Sequence, residues 1–88
     1  MTNPEQWLRS QGYVLTQKNR DWHRYTHPDT GITGTVLKKD DCFKCWLTYF
    51  STGLIRLETR AFVFPNNNFE SMHAGFVRYV NHIKELEE

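Results

Sequence analysis

Apolar side chains recur every three or four positions through the C-terminal part of the chain, between residues 69 and 86. This spacing places them along one face of an α-helix and predicts a long C-terminal helix. The apolar positions are Phe69, Met72, Phe76, Tyr79, Val80, Ile83 and Leu86. Asn67 and Glu70 have the spacing of a capping box, which predicts that the helix begins there. We expect the apolar stripe to cover one face of a sheet.

The middle of the chain instead has the alternation and the turn residues that are typical of β-strands. Strands are predicted over residues 13–17, 22–27, 32–39, 42–50 and 54–64. Their short connections predict antiparallel neighbours, because a parallel crossover needs a dozen or more residues. A short helix over residues 4–11 is predicted before them, with Asn3 as its N-cap and Gly12 just after its end.

These elements together predict the α+β class. The expected architecture is a four- to five-stranded antiparallel meander, with a short N-terminal helix and a long C-terminal helix packed on one sheet face. The 88 residues are fewer than the ~100 to 150 of a typical domain, so residues 1–88 are expected to form one domain. Three Trp, four Tyr and six Phe supply large apolar surfaces for so short a chain, with some left over for a surface.

Strand alternation divides the two longest predicted strands into two faces. One face is expected to lie under the C-terminal helix, and it carries Phe43, Cys45, Leu47, Tyr49, Ile55, Leu57, Thr59, Ala61 and Val63. The other face, with two residues of a neighbouring strand, interleaves aromatic and basic side chains. Its expected members are Trp22, Arg24, Lys44, Trp46, Phe50, Arg56, Arg60 and Phe62.

Two functions are compatible with these aromatic and basic side chains. The favoured interpretation is a non-enzymatic interaction module, such as an accessory protein of a bacterium or a mobile genetic element, that forms a homodimer or binds another protein. The alternative is a single-stranded nucleic-acid-binding protein that stacks bases on the aromatic rings. A third possibility is that Trp7 and Leu8 of the first helix simply cover this face.

The net charge of +1 and the pI near 7.8 give no overall attraction to nucleic acids or membranes, so binding of either kind would have to be local. The sequence has no apolar run of the ~18 residues that a membrane span requires and no leader pattern at its start. We therefore expect no membrane partner. A cytoplasmic location is the corresponding expectation, and two cysteines suit a reducing compartment.

The candidate chemistry is limited to one set of possible metal ligands. His23, His27, Cys42 and Cys45 are the residue types of a zinc site. The odd separation of the two cysteines would point them to opposite faces of a regular strand, so we predict that no metal is bound. The sequence has no nucleophile elbow and no phosphate-binding glycine loop. We expect neither enzymatic activity nor a cofactor.

Overall fold

The structure is a computed structural model that describes residues 3–51, 56–64 and 68–87. Within these residues two helices and six antiparallel strands follow one another along the chain. They are α1 (Pro4–Ser10), β1 (Val14–Lys18), β2 (Trp22–Thr26), β3 (Thr33–Lys38), β4 (Phe43–Phe50), β5 (Arg56–Glu58), β6 (Phe62–Phe64) and α2 (Phe69–Glu87). The predicted α+β class, antiparallel meander and terminal helices are confirmed. The capping box predicted at Asn67 lies outside the described residues.

The strands are ordered β1-β2-β3-β4-β5, and β6 pairs with the first half of β4 while β5 pairs with its second half. The last predicted strand is thus divided in two. Between the two pieces, Trp46 and Leu47 of β4 lie opposite three residues, 59–61. The Thr59 hydroxyl accepts a hydrogen bond from the Leu47 amide at 3.1 Å, and the Thr59 amide donates to the Leu47 carbonyl at 3.0 Å. This one-residue bulge is stabilised by the Thr59 side chain.

The bulge changes which residues face the core. Before it, Leu57 pairs with Tyr49, and after it, Phe62 pairs with Cys45, so both side chains lie on the core side. Phe62 is 6% exposed, whereas Val63 is 48% exposed. The expectation that Phe62 lies on the opposite face and Val63 in the core is therefore wrong. One extra residue inverts the alternation of every residue that follows it.

Helix α1 packs on the same side of the sheet as α2. Its start is fixed by Asn3, whose side chain accepts from the Glu5 amide at 2.9 Å, and its end by Gly12 at φ +94°. Trp7 lies edge-on to Phe69 of α2, with ring centroids 5.1 Å apart. Leu8 is fully buried against Gly34 of β3, where an added methyl would lie 3.2 Å from a Leu8 methyl carbon. The possibility that α1 covers the opposite sheet face is therefore wrong.

Helix α2 buries Phe69 and Val80 and packs Met72, Phe76 and Val77 partly against the core. The predicted stripe is confirmed along its centre but not at one margin. Tyr79 is 51% exposed and Leu86 is also exposed, whereas Val77 packs against the core. At about 100° per residue, Tyr79 and Leu86 lie at one edge of the stripe and Val77 at the other. The helix is therefore rotated towards Val77.

The core lies between the two helices and one face of the sheet, which we call the inner face. Its buried residues are Trp7, Leu8, Tyr13, Tyr25, Ile32, Val36, Cys45, Leu47, Tyr49, Phe62, Phe64, Phe69 and Val80. The inner-face positions predicted for β4, including Cys45 and Leu47, are confirmed. The rings of Phe62 and Phe64 both meet Phe69 edge-on, with centroids 6.1 and 4.8 Å away. Aromatic packing between strand and helix therefore joins α2 to the sheet.

Candidate binding surface on the outer sheet face

The sheet face opposite both helices is the candidate functional surface, and we call it the outer face. In the part of the chain that the structure describes, no helix lies over it. The strand pairings assign to it Val14, Gln17, Trp22, Arg24, Thr26, Thr33, Thr35, Leu37, Lys44, Trp46, Thr48, Phe50, Arg56, Glu58 and Val63. It therefore combines aromatic, basic and threonine side chains on an open sheet.

The outer-face residues form rows across the strands. The first row contains Trp22, Leu37, Lys44 and Val63. The second contains Arg24, Thr35 and Trp46, and the third contains Thr26, Thr33, Thr48 and Glu58. The last row contains Phe50 and Arg56. Each of the three aromatic residues thus shares a row with a cation.

Arg24 is held in place by its neighbours on three strands. Its guanidinium carbon lies 4.7 Å from the ring centroid of Trp22, a cation–π contact. Its Nε donates to the Thr35 hydroxyl at 3.3 Å, and one terminal nitrogen donates to the Gln17 side chain at 3.3 Å. These bonds use two of the five N–H groups of a guanidinium. The others can reach an acceptor outside the protein.

Arg56 and Glu58 form an ion pair at the edge of the outer face. A terminal nitrogen of Arg56 lies 3.4 Å from one Glu58 carboxylate oxygen, and the other oxygen accepts from the Thr48 hydroxyl at 3.1 Å. The Arg56 side chain is 60% exposed. An exposed pair at this distance contributes little to stability. Arg56 is therefore free to exchange Glu58 for an external anion.

A shallow depression of about 220 Å³ lies between these side chains. Trp46 and Phe50, four residues apart on β4, line it, together with Arg24 and Arg56. Phe50 is 60% exposed and Trp46 is half-buried. The aromatic surface is thus open to a ligand while Trp46 is supported by the sheet beneath it.

Two predicted members of this surface do not belong to it. Phe62 lies in the core, as the bulge requires. The Arg60 guanidinium lies 5.2 Å from the centroid of the Phe62 ring, so it contacts that ring on the core side of the sheet. The six other predicted residues lie together on the outer face: Trp22, Arg24, Lys44, Trp46, Phe50 and Arg56.

The four candidate metal ligands are separated by other contacts. His23 Nδ1 lies 2.6 Å from Glu5 Oε1, and His27 Nδ1 accepts from the amides of the turn that follows it. Cys45 is fully buried, and this burial raises the pKa of its thiol to about 12. Cys42 is a free, partly exposed cysteine. Over the described ranges, no group of three or more His, Cys, Asp or Glu side chains is placed to bind a metal.

A hydrogen-bonded cluster that the sequence analysis missed joins α1 to β2 on the inner side. Glu5 Oε1 accepts from the Tyr25 hydroxyl at 2.6 Å as well as from His23. Burial alone would raise the pKa of Glu5, but the hydrogen bonds from Tyr25 and His23 outweigh it and hold the pKa below its ordinary value. The partners lie 18 and 20 residues from Glu5, so no local sequence pattern connects them.

A second missed contact joins α2 to the residue that directly precedes β1. The Tyr13 hydroxyl and His73 Nε2 are 2.9 Å apart, and the His73 ring stands edge-on to Trp7. Burial, with the nearby His27 adding to it, lowers the pKa of His73, and burial raises the pKa of Tyr13. These groups hold helix and sheet together and lie away from the outer face.

Comparisons with protein-family models, with curated proteins and with solved structures find no match to this chain. Among the residues described, no helix is both long enough and apolar enough to cross a membrane. The basis for assigning a function is therefore the arrangement of side chains itself, and the outer face is its most distinctive part.

Proposed function

We propose that this chain is a non-enzymatic binding module that presents its outer face to a macromolecular partner. The observation that carries this proposal is that α1 and α2 pack on the same side of the sheet and leave Trp46 and Phe50 on the other. Large apolar side chains that are grouped on an open face mark interaction sites more often than scattered ones do. The adjacent cations Arg24 and Arg56 are arranged around the same rings.

The titratable groups on the inner side support a binding role over a catalytic one. Glu5 is bonded to both His23 and Tyr25, and His73 is in contact with Tyr13. Each of these groups links a helix to the sheet. A general acid or base must instead be within reach of a substrate proton.

Two partners suit the outer face. A second copy of the chain, or another protein, could cover Phe50 and the exposed Val63. In a twofold dimer, Arg56 of each copy could pair with Glu58 of the other copy. A single-stranded nucleic acid could stack bases on Trp46 and Phe50. In both cases the same rings contribute most of the affinity.

The experiment that tests this proposal measures association directly. Light scattering after size-exclusion chromatography reports self-association, and anisotropy of a labelled oligonucleotide reports nucleic-acid binding. We expect Trp46→Ala to weaken the observed association by ~2 kcal/mol or more, since aromatic residues dominate binding energy at interfaces. Phe50→Ala should act in the same direction.

The matched control is Tyr79→Ala, because Tyr79 is a comparably exposed aromatic residue on α2, on the other side of the sheet. It should leave association unchanged. Circular dichroism of each variant checks that the fold is retained. If the chain stays monomeric and binds no oligonucleotide at low salt, or if Tyr79→Ala weakens association as much as Phe50→Ala, the proposal is wrong.

A further inference from the structure

We infer that the partner of the outer face is single-stranded nucleic acid, an inference that rests on the proposed function and specifies its partner. The first reason is charge. The described outer face carries three cations, Arg24, Lys44 and Arg56, against the single carboxylate of Glu58. A polyanion complements this excess of positive charge. A second copy packed face to face would instead bring the cations of the two copies together.

The size of the outer face gives a second reason. Five strands spaced ~4.8 Å apart span about 19 Å, and strands of this length extend roughly 20 Å. The flat outline of the face is therefore about 400 Å². A nucleic-acid strand needs only a path across the sheet, and this face is wide enough to provide one.

The rings of Trp46 and Phe50 provide two separate stacking positions for bases along β4. Trp46 and Phe50 share one side of this strand and are four residues apart, about 13 Å. An aromatic face accepts any base, because every base has a π-surface. Arg24 lies in the row of Trp46, and Arg56 lies opposite Phe50. Each stacking position thus has a guanidinium beside it for the phosphate backbone.

The shape of the sheet favours single strands over duplexes. Its width of about 19 Å exceeds the ~12 Å major groove of B-DNA, so the flat face cannot enter the groove. The rings can stack only on bases that are unpaired and turned towards the protein. Deoxyribose and ribose strands share this chemistry, and the experiment separates them.

The experiment is an anisotropy titration with fluorescein-labelled oligothymidylate and oligouridylate of about 20 nucleotides, longer than the ~4 to 16 nucleotides that comparable single folds occupy. A duplex of equal length is titrated alongside them. We expect at least one of the two single strands to bind more tightly than the duplex. With three phosphate contacts, the logarithm of the association constant should fall with the logarithm of salt concentration at a slope of about −2.

Two pairs of variants locate the site. Arg56→Glu should weaken binding at low salt and reduce the salt slope, whereas Arg78→Glu, the same change on the exposed side of α2, should not. Phe50→Ala should weaken binding by about fivefold or more by removing one stacking surface, whereas Tyr79→Ala should not. Phe50 and Arg56 are exposed, so neither change threatens the fold.

Light scattering on the same samples distinguishes failure of this inference from failure of the proposed function. If no single strand binds at low salt and the protein forms a dimer that Phe50→Ala dissociates, the inference is wrong while the binding module stands. If neither association is found, both are wrong. Binding that prefers the duplex, or that persists unchanged in Phe50→Ala and Arg56→Glu, would also overturn the inference.

Discussion

The two faces of the sheet use the same strands and the same residue types in opposite ways. On the inner face, aromatic rings contact other aromatic rings: Phe62 and Phe64 pack edge-on against Phe69, which is 1% exposed. On the outer face, aromatic rings contact cations or solvent: the Arg24 guanidinium stacks on Trp22, and Phe50 is 60% exposed. Which face an aromatic side chain occupies therefore decides whether it stabilises the fold or remains available for binding.

The largest expected difference between the faces is in the cost of losing a ring. Phe69→Ala should destabilise the fold by about 3 to 5 kcal/mol, because Phe69 contacts Trp7, Phe62 and Phe64 and the cavity would remain unfilled. Phe50→Ala, the control on the outer face, should cost under about 1 kcal/mol. Urea unfolding monitored by circular dichroism measures both. Similar losses in the two variants would show that the outer face is also part of the core.

A smaller effect tests how closely α1 approaches the inner face. Gly34→Ala would place a methyl group 3.2 and 3.3 Å from the two terminal carbons of Leu8, so we expect a loss of about 1 to 3 kcal/mol from overpacking. The control is Gly75→Ala in α2, where nothing lies within 4 Å of the added carbon. That change should stabilise the helix by roughly 0.5 to 1 kcal/mol. Opposite signs in denaturant unfolding would confirm the contact, and a neutral Gly34→Ala would contradict it.

The smallest expected effect concerns pH and the contact of His73 in α2 with Tyr13. The pKa of His73 is lowered in the folded protein, so the unfolded chain binds the proton more readily. The stability linked to His73 is complete above its ordinary pKa of 6.5 and is lost as pH falls below that value towards the lower folded pKa. Tyr13 and His27 are its polar neighbours, and Glu5 contributes its own loss only below its ordinary pKa of 4.5.

Thermal unfolding of wild type and His73→Gln between pH 7 and 5 measures this contribution. The variant should lose less stability on acidification than the wild type does. The matched control is His82→Gln, an exposed histidine on the same helix, which should keep the wild-type pH dependence. Equal slopes for the wild type and His73→Gln would show that folding does not lower the pKa of His73.

The parts of the fold that depend on local periodicity could be predicted from the sequence. The alternation of β4 placed Cys45 and Leu47 on the inner face and Trp46 on the outer face, because successive side chains of a regular strand point to opposite faces. The centre of the apolar stripe on α2 could likewise be predicted, from the spacing of its apolar residues along the chain. The side on which α1 packs could not be predicted, because Trp7 and Leu8 are apolar enough to cover either face, and the space above Gly34 becomes visible only once the strands are paired.

The outer face could be predicted in part for the same reason. Arg24, Lys44 and Arg56 lie where the alternation places them, whereas Phe62 lies inside because alternation fails across a bulge. The bulge depends on the Thr59 hydroxyl, which bonds the Leu47 amide in place of a backbone carbonyl. Threonine is also a common residue in regular strands, so its presence in the sequence does not predict a bulge.

The bulge also makes the number of residues between β5 and β6 decisive. Deleting any one of residues 59–61 would leave two residues opposite Trp46 and Leu47, which would allow continuous pairing along β4 and keep Phe62 and Phe64 inwards and Val63 outwards. Deleting two of them would leave a single residue there, and strict alternation would then turn Phe62 and Phe64 outwards and Val63 inwards. The length of this short segment, more than the identity of most of its residues, thus determines which rings meet α2 and which side chains are offered to a partner.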